Sequence, residues 1–549
     1  MSTLTPVESR PDGPPGPGTH RVAELGLTVL AVLVSAGAYA LVGLGAEDRV
    51  PANVYVYAGW QAGLGLLLHA LVWWRAKYAD PVVVPIALLL NGLGLAMIYR
   101  IDLALTDTDT TSTVATSQMQ WTTLGVLCAG IVVVFLRDHR ILRRYTYTCG
   151  LAALVLLLLP LMPFIGAEIN GARIWIRIAG MSFQPGEIAK ILLAVFFAGY
   201  LATYRDQLVL AGPKILGVRL PRLRDCAFLA LLAVGSVGIL VMEKDLGTSL
   251  LYFGLFVAML YVATGVKTWI FLGLGAFAAA AVAAWALFGH VQQRVDGWLH
   301  ALDPEQFNRP GGSYQLVTGL FGMADGGLVG NGLGEGRPQQ TPFANSDFIW
   351  ASLGEELGLV GAFAILLLYV LLFERGMKTA QKLRDGFGTL LVTGLSFSLA
   401  LQCFIVIGGV TRLIPLTGLT TPFLAAGGSS LVANWIIIGL LLRASDNARR
   451  PVEELHTGVL TLPKERLRRS RSTEDPAEAP AEQGTPVAAG TSTAGHRQQW
   501  DAEAPTGLID RRTARAAGTD AADGFPGDLL DGRGRDRAED RTHEDRRED

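Results

Sequence analysis

Gln292-Gln293-Arg294-Val295-Asp296-Gly297-Trp298-Leu299-His300-Ala301-Leu302-Asp303-Pro304 opens the stretch whose reading decides the fold, which runs from about Val291 to Gly361. It continues through Ser313-Tyr314-Gln315 into Asp325-Gly326-Gly327-Leu328-Val329-Gly330-Asn331-Gly332-Leu333-Gly334. It closes as Asn345-Ser346-Asp347-Phe348-Ile349-Trp350 and enters an apolar helix carrying Glu355 and Glu356. Elsewhere in the first 443 residues, apolar segments of spanning length follow one another with short loops between them. One long polar loop hung on a membrane bundle is where chemistry can be housed.

Half of the 549 residues are hydrophobic and 17% are charged, against roughly 25% charged in ordinary globular chains. The composition predicts an all-α polytopic membrane protein. Charges gather in the loops and in the tail after Leu442, so the net charge of −2 says little about partners, and no nucleic acid is expected. Cys128, Cys149, Cys226 and Cys403 lack metal-ligand spacing and read as small apolar residues.

Residues 1–20, rich in proline and glycine, read as disordered, as does the mixed-charge tail 444–549. About twelve spans are predicted, near Val22–Leu44, Val54–Trp74, Val82–Tyr99, Met119–Leu136, Tyr147–Ile165, Gly186–Tyr204, Ala227–Met242, Gly247–Thr264, Thr268–Gly289, Phe348–Phe373, Phe387–Val410 and Phe423–Leu442. Most approach the ~20 residues that cross a bilayer. Basic residues fall in alternate loops: Arg75 and Lys77, then Arg137 to Arg144, then Arg205 to Arg224, Lys267, and Arg375 to Arg384. Those loops are predicted to be cytoplasmic, which puts loop 290–347 outside and both termini inside a multi-pass protein of the cytoplasmic membrane.

Ionisable side chains inside spans cost at least ~2.5 to 3.5 kcal/mol at mid-bilayer unless paired or hydrated. With a helix starting at Phe348, Glu355 and Glu356 lie roughly 10 to 12 Å along it at 1.5 Å per residue, and at least one must face the bundle. Glu187 and Lys190, three apart on one helix, can pair. Glu243-Lys244-Asp245 is too short for a solvated loop, so its charges are expected to line the same outward cavity. Arg173, Arg177 and Arg412 also fall on the outer side. Basic groups beside buried carboxylates suit an anionic lipid headgroup whose tail stays in the bilayer. Gly330-x-Gly332 lacks the strand and helix context of a phosphate-binding turn, so no nucleotide is expected.

Six motifs occur together in order: Asn170-Gly171-Ala172-Arg173-Ile174-Trp175-Ile176; Phe183-Gln184-Pro185-Gly186-Glu187-Ile188-Ala189-Lys190; Glu243-Lys244-Asp245-Leu246-Gly247-Thr248; Tyr314-Gln315; Asp347-Phe348-Ile349 with Gly354-Glu355-Glu356-Leu357-Gly358; and Ile414-Pro415-Leu416-Thr417-Gly418-Leu419-Thr420-Thr421-Pro422-Phe423 leading to Gly427-Gly428-Ser429-Ser430. Over roughly Pro81 to Arg443 the chain resembles the shape, elongation, division and sporulation family, the FtsW/RodA/SpoVE proteins, and is most similar to actinobacterial members. The family usually has ten spans, so residues 22–80 look like an N-terminal addition to a core at 81–443.

The resemblance implies a peptidoglycan glycosyltransferase that polymerises lipid II outside the membrane, beside a class B penicillin-binding transpeptidase and other cell-wall synthesis proteins. It also implies an essential aspartate before Tyr314-Gln315. Asp303 is the nearest, while Asn308 holds the position that spacing alone suggests. Attack by a sugar hydroxyl on an anomeric carbon bearing lipid pyrophosphate needs a carboxylate base and positive charge on the departing phosphates. Asp303 is the expected base, with Asp296, Asp325 and Asp347 as the other outward carboxylates of the loop. Arg173, Arg177, Lys190, Arg294 and Arg412 are candidates for the pyrophosphate, with Glu187, Asp245, Asp347, Glu355 and Glu356 lining the site. A divalent cation could assist, through ligands that the sequence does not name. A transporter of lipid-linked precursor and a non-catalytic scaffold for a transpeptidase are the alternatives.

Overall fold

The computed structural model describes residues 20–106, 114–169, 172–178, 181–210, 214–215, 218–219 and 223–451. Its helices are α1 (Arg21–Glu47), α2 (Val54–Arg75), α3 (Val83–Thr106), α4 (Val114–Phe135), α5 (Thr146–Leu158), α6 (Pro185–Leu210), α7 (Leu223–Met242), α8 (Leu246–Thr264) and α9 (Thr268–Leu287). There follow α10 (Gly289–Leu299), α11 (Pro304–Asn308), α12 (Tyr314–Gly326), α13 (Ile349–Lys382), α14 (Gly386–Val410) and α15 (Gly428–Arg449).

Eleven helical stretches are long and apolar enough to cross a membrane, and α7 adds a shorter apolar stretch, Phe228–Met242. That matches the expectation of about twelve spans. In α3, α6, α14 and α15 most residues are buried, whereas only 6% of the α9 window is, so α9 lies at the rim. The added hairpin α1–α2 is fastened to α3 by polar contacts: Tyr57 donates to the Gly92 carbonyl at 3.0 Å and Gln61 to that of Leu88 at 3.1 Å.

Four features depart from the sequence reading. Helix α5 ends at Leu158 rather than Ile165, and an antiparallel sheet of β1 (Gly166–Ile169), β2 (Ala172–Ile178) and β3 (Met181–Phe183) follows, with Arg177 opposite Ser182. The all-α class expected holds, with this small sheet and a two-stranded pairing of Lys214–Ile215 with Val218–Arg219 added between the helices. Residues expected as one long loop contain α10, α11 and α12 and form a cap over one end of the bundle. Helix α15 begins at Gly428, five residues after the predicted Phe423, because Phe423 takes a left-handed φ of 66° behind Pro422.

Helix α15 also continues past 444 to Arg449. Buried Arg443 donates to the carbonyls of Arg75 at 2.6 Å, Arg137 at 3.2 Å and Leu136, while Asp446 accepts from Tyr78 N at 3.0 Å. These bonds order the end of α15 where a disordered tail was expected. The disordered readings of 1–19 and 452–549 lie outside the described residues.

Candidate active site

Chain 411–427, between α14 and α15, has no regular structure and organises the cap end of the bundle. Arg412 and Gly418 take left-handed φ values of 60° and 75°, so the helix cannot continue. Buried carbonyls outside a helix need donors from elsewhere. Arg294 of α10 supplies one to Leu416 at 2.7 Å, Gln402 of α14 one to Thr420 at 2.9 Å, and Gln118 of α4 one to Ala425 at 3.0 Å. Tyr369 of α13 caps the Pro422 carbonyl. Four helices thus fix one irregular strand of chain.

The charged residues gather against this segment. A Cβ on exposed Gly418 would lie 3.7 Å from Asp347 Oδ2 and 4.0 Å from Arg294 Nη1, so carboxylate and guanidinium flank the same glycine. Burial pushes the Asp347 carboxyl up to about 7, against the opposing pull of Ser346 and Arg294, and holds Arg294 below its usual range. Asp347 is only partly covered, so it remains within reach of solvent.

Asp245 caps α8, accepting from Thr248 N at 2.9 Å and Thr248 Oγ1 at 2.7 Å, with Gln184 Nε2 at 3.4 Å. Its carboxyl is raised by burial. Lys244 takes a φ of 62°, which turns the chain from α7 into α8 within three residues. Beside it Glu243, 2% exposed, is pushed up to about 8 by burial and by the charge of Asp245. One turn into α6, Lys190 bonds Glu187 at 2.8 Å, Gln402 at 2.9 Å and Asn434 at 3.4 Å. A polar path thus runs from Asp347 and Arg294 inward to Lys190.

Other expected site residues stand apart. Asp303 is exposed at the start of α11, and its side chain makes no capping hydrogen bond. Asn308 is also exposed and donates to the Pro304 carbonyl at 2.8 Å. Arg173 and Arg177 project from β2 into solvent, Arg173 paired with Glu168 at 3.0 Å. Arg412 donates from Nε to Trp298 O and from Nη2 to Leu299 O, both at 2.9 Å, so its charge holds the end of α10.

Glu355 and Glu356 are both buried, at 5% and 1% exposure, although the sequence required only one to face inward. Helix α13 is broken at Gly358, φ 66° and ψ −172°, and there its backbone pairs with the glycine-rich turn: Leu359 N donates to Gly327 O and Val360 N to Leu328 O. Only glycine suits that conformation. Glu356 accepts from Arg100 Nε and from Gly334 N, each at 3.0 Å, and Glu355 accepts from Arg337 N. Both carboxylates are engaged with the protein's own chain.

Sequence reasoning passed over Arg100, Gln402 and Asn434, and quoted Gln184 and Gly418 within motifs without giving them a role. A signal existed for three of them, since Arg100, Gln402 and Asn434 are polar groups inside apolar spans and needed partners. Among the described residues no group of three or more His, Cys, Asp or Glu side chains is placed to hold a metal ion.

Comparison with known proteins agrees with this architecture. A chain solved in work described as "Structural coordination of polymerization and crosslinking by a peptidoglycan synthase complex" superposes with a TM-score of 0.55 at 27% identity, covering 68% of this chain and 99% of that one. The peptidoglycan glycosyltransferase RodA of Mycobacterium tuberculosis strain H37Rv is 48% identical over 447 residues, 80% of this chain and 93% of its own. The RodA of Mycobacterium leprae is 45% identical over 450 residues, again 80% and 93%. A probable peptidoglycan glycosyltransferase FtsW of Geobacter metallireducens is 33% identical over 320 residues, 58% of this chain and 81% of its own. The FtsW/RodA/SpoVE family model, described as cell cycle protein, matches residues 81–450, and the chain belongs to that family.

Proposed function

We infer that this chain is a peptidoglycan glycosyltransferase, and we propose that it polymerises lipid II at the outer face of the cytoplasmic membrane, with both termini in the cytoplasm. The observation that carries the reading is that Asp347 and Arg294, both partly covered, flank Gly418 at the cap end, with Asp245, Glu187 and Lys190 buried on neighbouring elements. Both signs of charge, gathered at the cap end of helices long enough to cross a bilayer, suit a pyrophosphate headgroup on a lipid tail. Higher identity to relatives named RodA than to one named FtsW favours a role in cell shape.

In the reaction a sugar hydroxyl attacks the anomeric carbon and the lipid pyrophosphate leaves. We assign Asp303 as the base, exposed on the cap where an incoming sugar can reach it. Arg294, beside Gly418, stabilises the departing phosphates, with Arg173 and Arg177 in reach of solvent on the sheet. Arg412 shapes the site through Nε and Nη2, bonded to Trp298 and Leu299, and its remaining N–H groups face the phosphates in this reading. We propose that a divalent cation, where the reaction uses one, is carried on the pyrophosphate; among the described residues no group of three or more His, Cys, Asp or Glu is placed to hold it.

The superposed chain belongs to a complex that polymerises and crosslinks, which supports a class B penicillin-binding transpeptidase as partner. The test is purified protein, with and without that transpeptidase, incubated with lipid II and assayed for glycan polymer on a gel. Polymer is expected, in greater amount with the partner. No polymer in its presence, with lipid II instead moved across a vesicle bilayer, would point to a transporter.

A further inference from the structure

The family match begins at residue 81, after α1 and α2, so α1 lies outside the segment that the family model describes. Yet α1 reaches the cap. A Cβ on Gly45 would sit 2.3 Å from Leu333 O and 3.0 Å from Gly334 Cα, and a Cβ on Gly334 would sit 2.7 Å from Val42 O and 2.8 Å from Ala46 N. Helix and turn therefore meet backbone to backbone, an approach open only to glycine on both sides. On its other side the same turn is held by α13: Gly334 N donates to Glu356 Oε2 and Gly332 N to Glu356 O, both at 3.0 Å. Arg100 of α3 closes the clamp, bonding Glu356 Oε1 at 3.0 Å and Gly336 O at 2.7 Å.

We propose that the C-terminal end of α1 and Arg100 are positioning elements that set the glycine-rich turn, and through it the chain leading to Asp347, for glycosyl transfer. The role in transfer rests on the glycosyltransferase reading. The turn leads through a short helical turn at Pro338–Gln340 to Pro342, whose carbonyl accepts from Gln315 of α12 at 3.0 Å, and five residues later to Asp347. The far end of α1 is fixed independently: Glu24 pairs with Arg21 and lies 3.1 Å from His69 Nδ1 of α2, and Arg21 also bonds the Ala79 carbonyl. Anchored there, a helix of 27 residues rises about 40 Å and presses on the turn as a strut.

The test uses the full-length protein and two glycine variants of the same helix. Gly45→Ala places a methyl against the Leu333 carbonyl and must move the turn by about 1 Å, a misplacement that costs catalysis roughly 10²-fold. Gly37→Ala meets nothing within 4 Å and serves as control. Gly45→Ala is expected to raise hydrogen exchange in the 328–336 peptides and to lower kcat on lipid II ten- to a hundredfold, with KM and the thermal midpoint unchanged. Arg100→Lys, which keeps the charge but loses the fork, is expected to raise exchange in the same peptides and to lower kcat likewise, with a lower thermal midpoint because two buried bonds are weakened. Gly37→Ala should match wild type in every measurement. Exchange and kcat at wild-type level in Gly45→Ala would overturn the proposal, and so would, in that variant, a loss of kcat accompanied by a lower midpoint and faster exchange throughout the chain. A wild-type protein that makes no polymer strikes the glycosyltransferase reading alone, since exchange in the turn still decides whether α1 holds it.

Discussion

Arg412 and Trp298 hold each other reciprocally: Arg412 Nε donates to the Trp298 carbonyl at 2.9 Å, and Trp298 Nε1 donates to the Arg412 carbonyl at 3.0 Å. The pair fastens α10 of the cap to the irregular chain after α14. Arg412→Ala should lower stability by about 1.5–3 kcal/mol, the usual worth of hydrogen bonds to a charged group. Trp298→Phe, which removes one neutral bond and keeps the ring, should cost about 1 kcal/mol. Thermal unfolding in detergent ranks the two, and equal midpoints would show that the clasp contributes nothing.

Asp303→Asn keeps the turn before Pro304 and removes the ability to take up a proton. Polymerisation of lipid II should fall about 10² to 10⁴-fold, with partner binding and the thermal midpoint at wild-type level. Activity near wild type would pass the role of base to Asp347.

Asp347 sets a pH dependence. Burial raises its carboxyl from 3.8 to about 7, so between those values the folded protein keeps a proton that the unfolded chain has released. Stability contributed by this group is therefore greatest at the acid end of the window and falls as pH rises toward 7. Asp347→Asn should flatten the decline in thermal midpoint between pH 4 and 7. An unchanged slope in that variant would assign the decline elsewhere.

Glu355 and Glu356 should differ in cost rather than in exposure. Glu356→Ala strands the Arg100 guanidinium in a buried setting, which costs about 3–5 kcal/mol, whereas Glu355→Ala leaves one backbone donor unpaired, at about 1–3 kcal/mol. Chemical denaturation of the two variants should place Glu356→Ala at the lower midpoint. The reverse order would show that the Arg100 contact is not formed.

Orientation is checked by reporters. One placed at Asn331 should be accessible from outside the cell and one after Leu383 only from the cytoplasm. Both on one side would dismiss the external site.

The spans were legible because length and apolarity suffice to announce a crossing helix, and family motifs located the cap end. The sheet was also written in the chain: Ile174, Ile176 and Ile178 alternate with Arg173, Trp175 and Arg177, the period of a strand. That alternation was read only as a basic outer stretch. Less accessible was the segment after α14, whose carbonyls are satisfied by Gln118, Arg294, Tyr369 and Gln402, residues from as much as 307 positions away. No local pattern encodes such pairings. Glu355 and Glu356 drew notice as charges in a span, but their partners are Arg100 of α3 and backbone N–H groups of Gly334 and Arg337, which the break at Gly358 brings into reach.

The break at Gly358 moves a boundary. Residues 349–357 are tied to the glycine-rich turn and not in line with the rest of α13, so the seam between cap and bundle falls inside what the chain writes as one helix. The cap therefore extends to Gly358, rather than ending with the polar stretch at Asp347, and it is completed by Arg100 and the end of α1. A chimera cut at the polar border would carry the turn without the two glutamates that fold it, while one cut at the glycine would transplant the cap with its own keel.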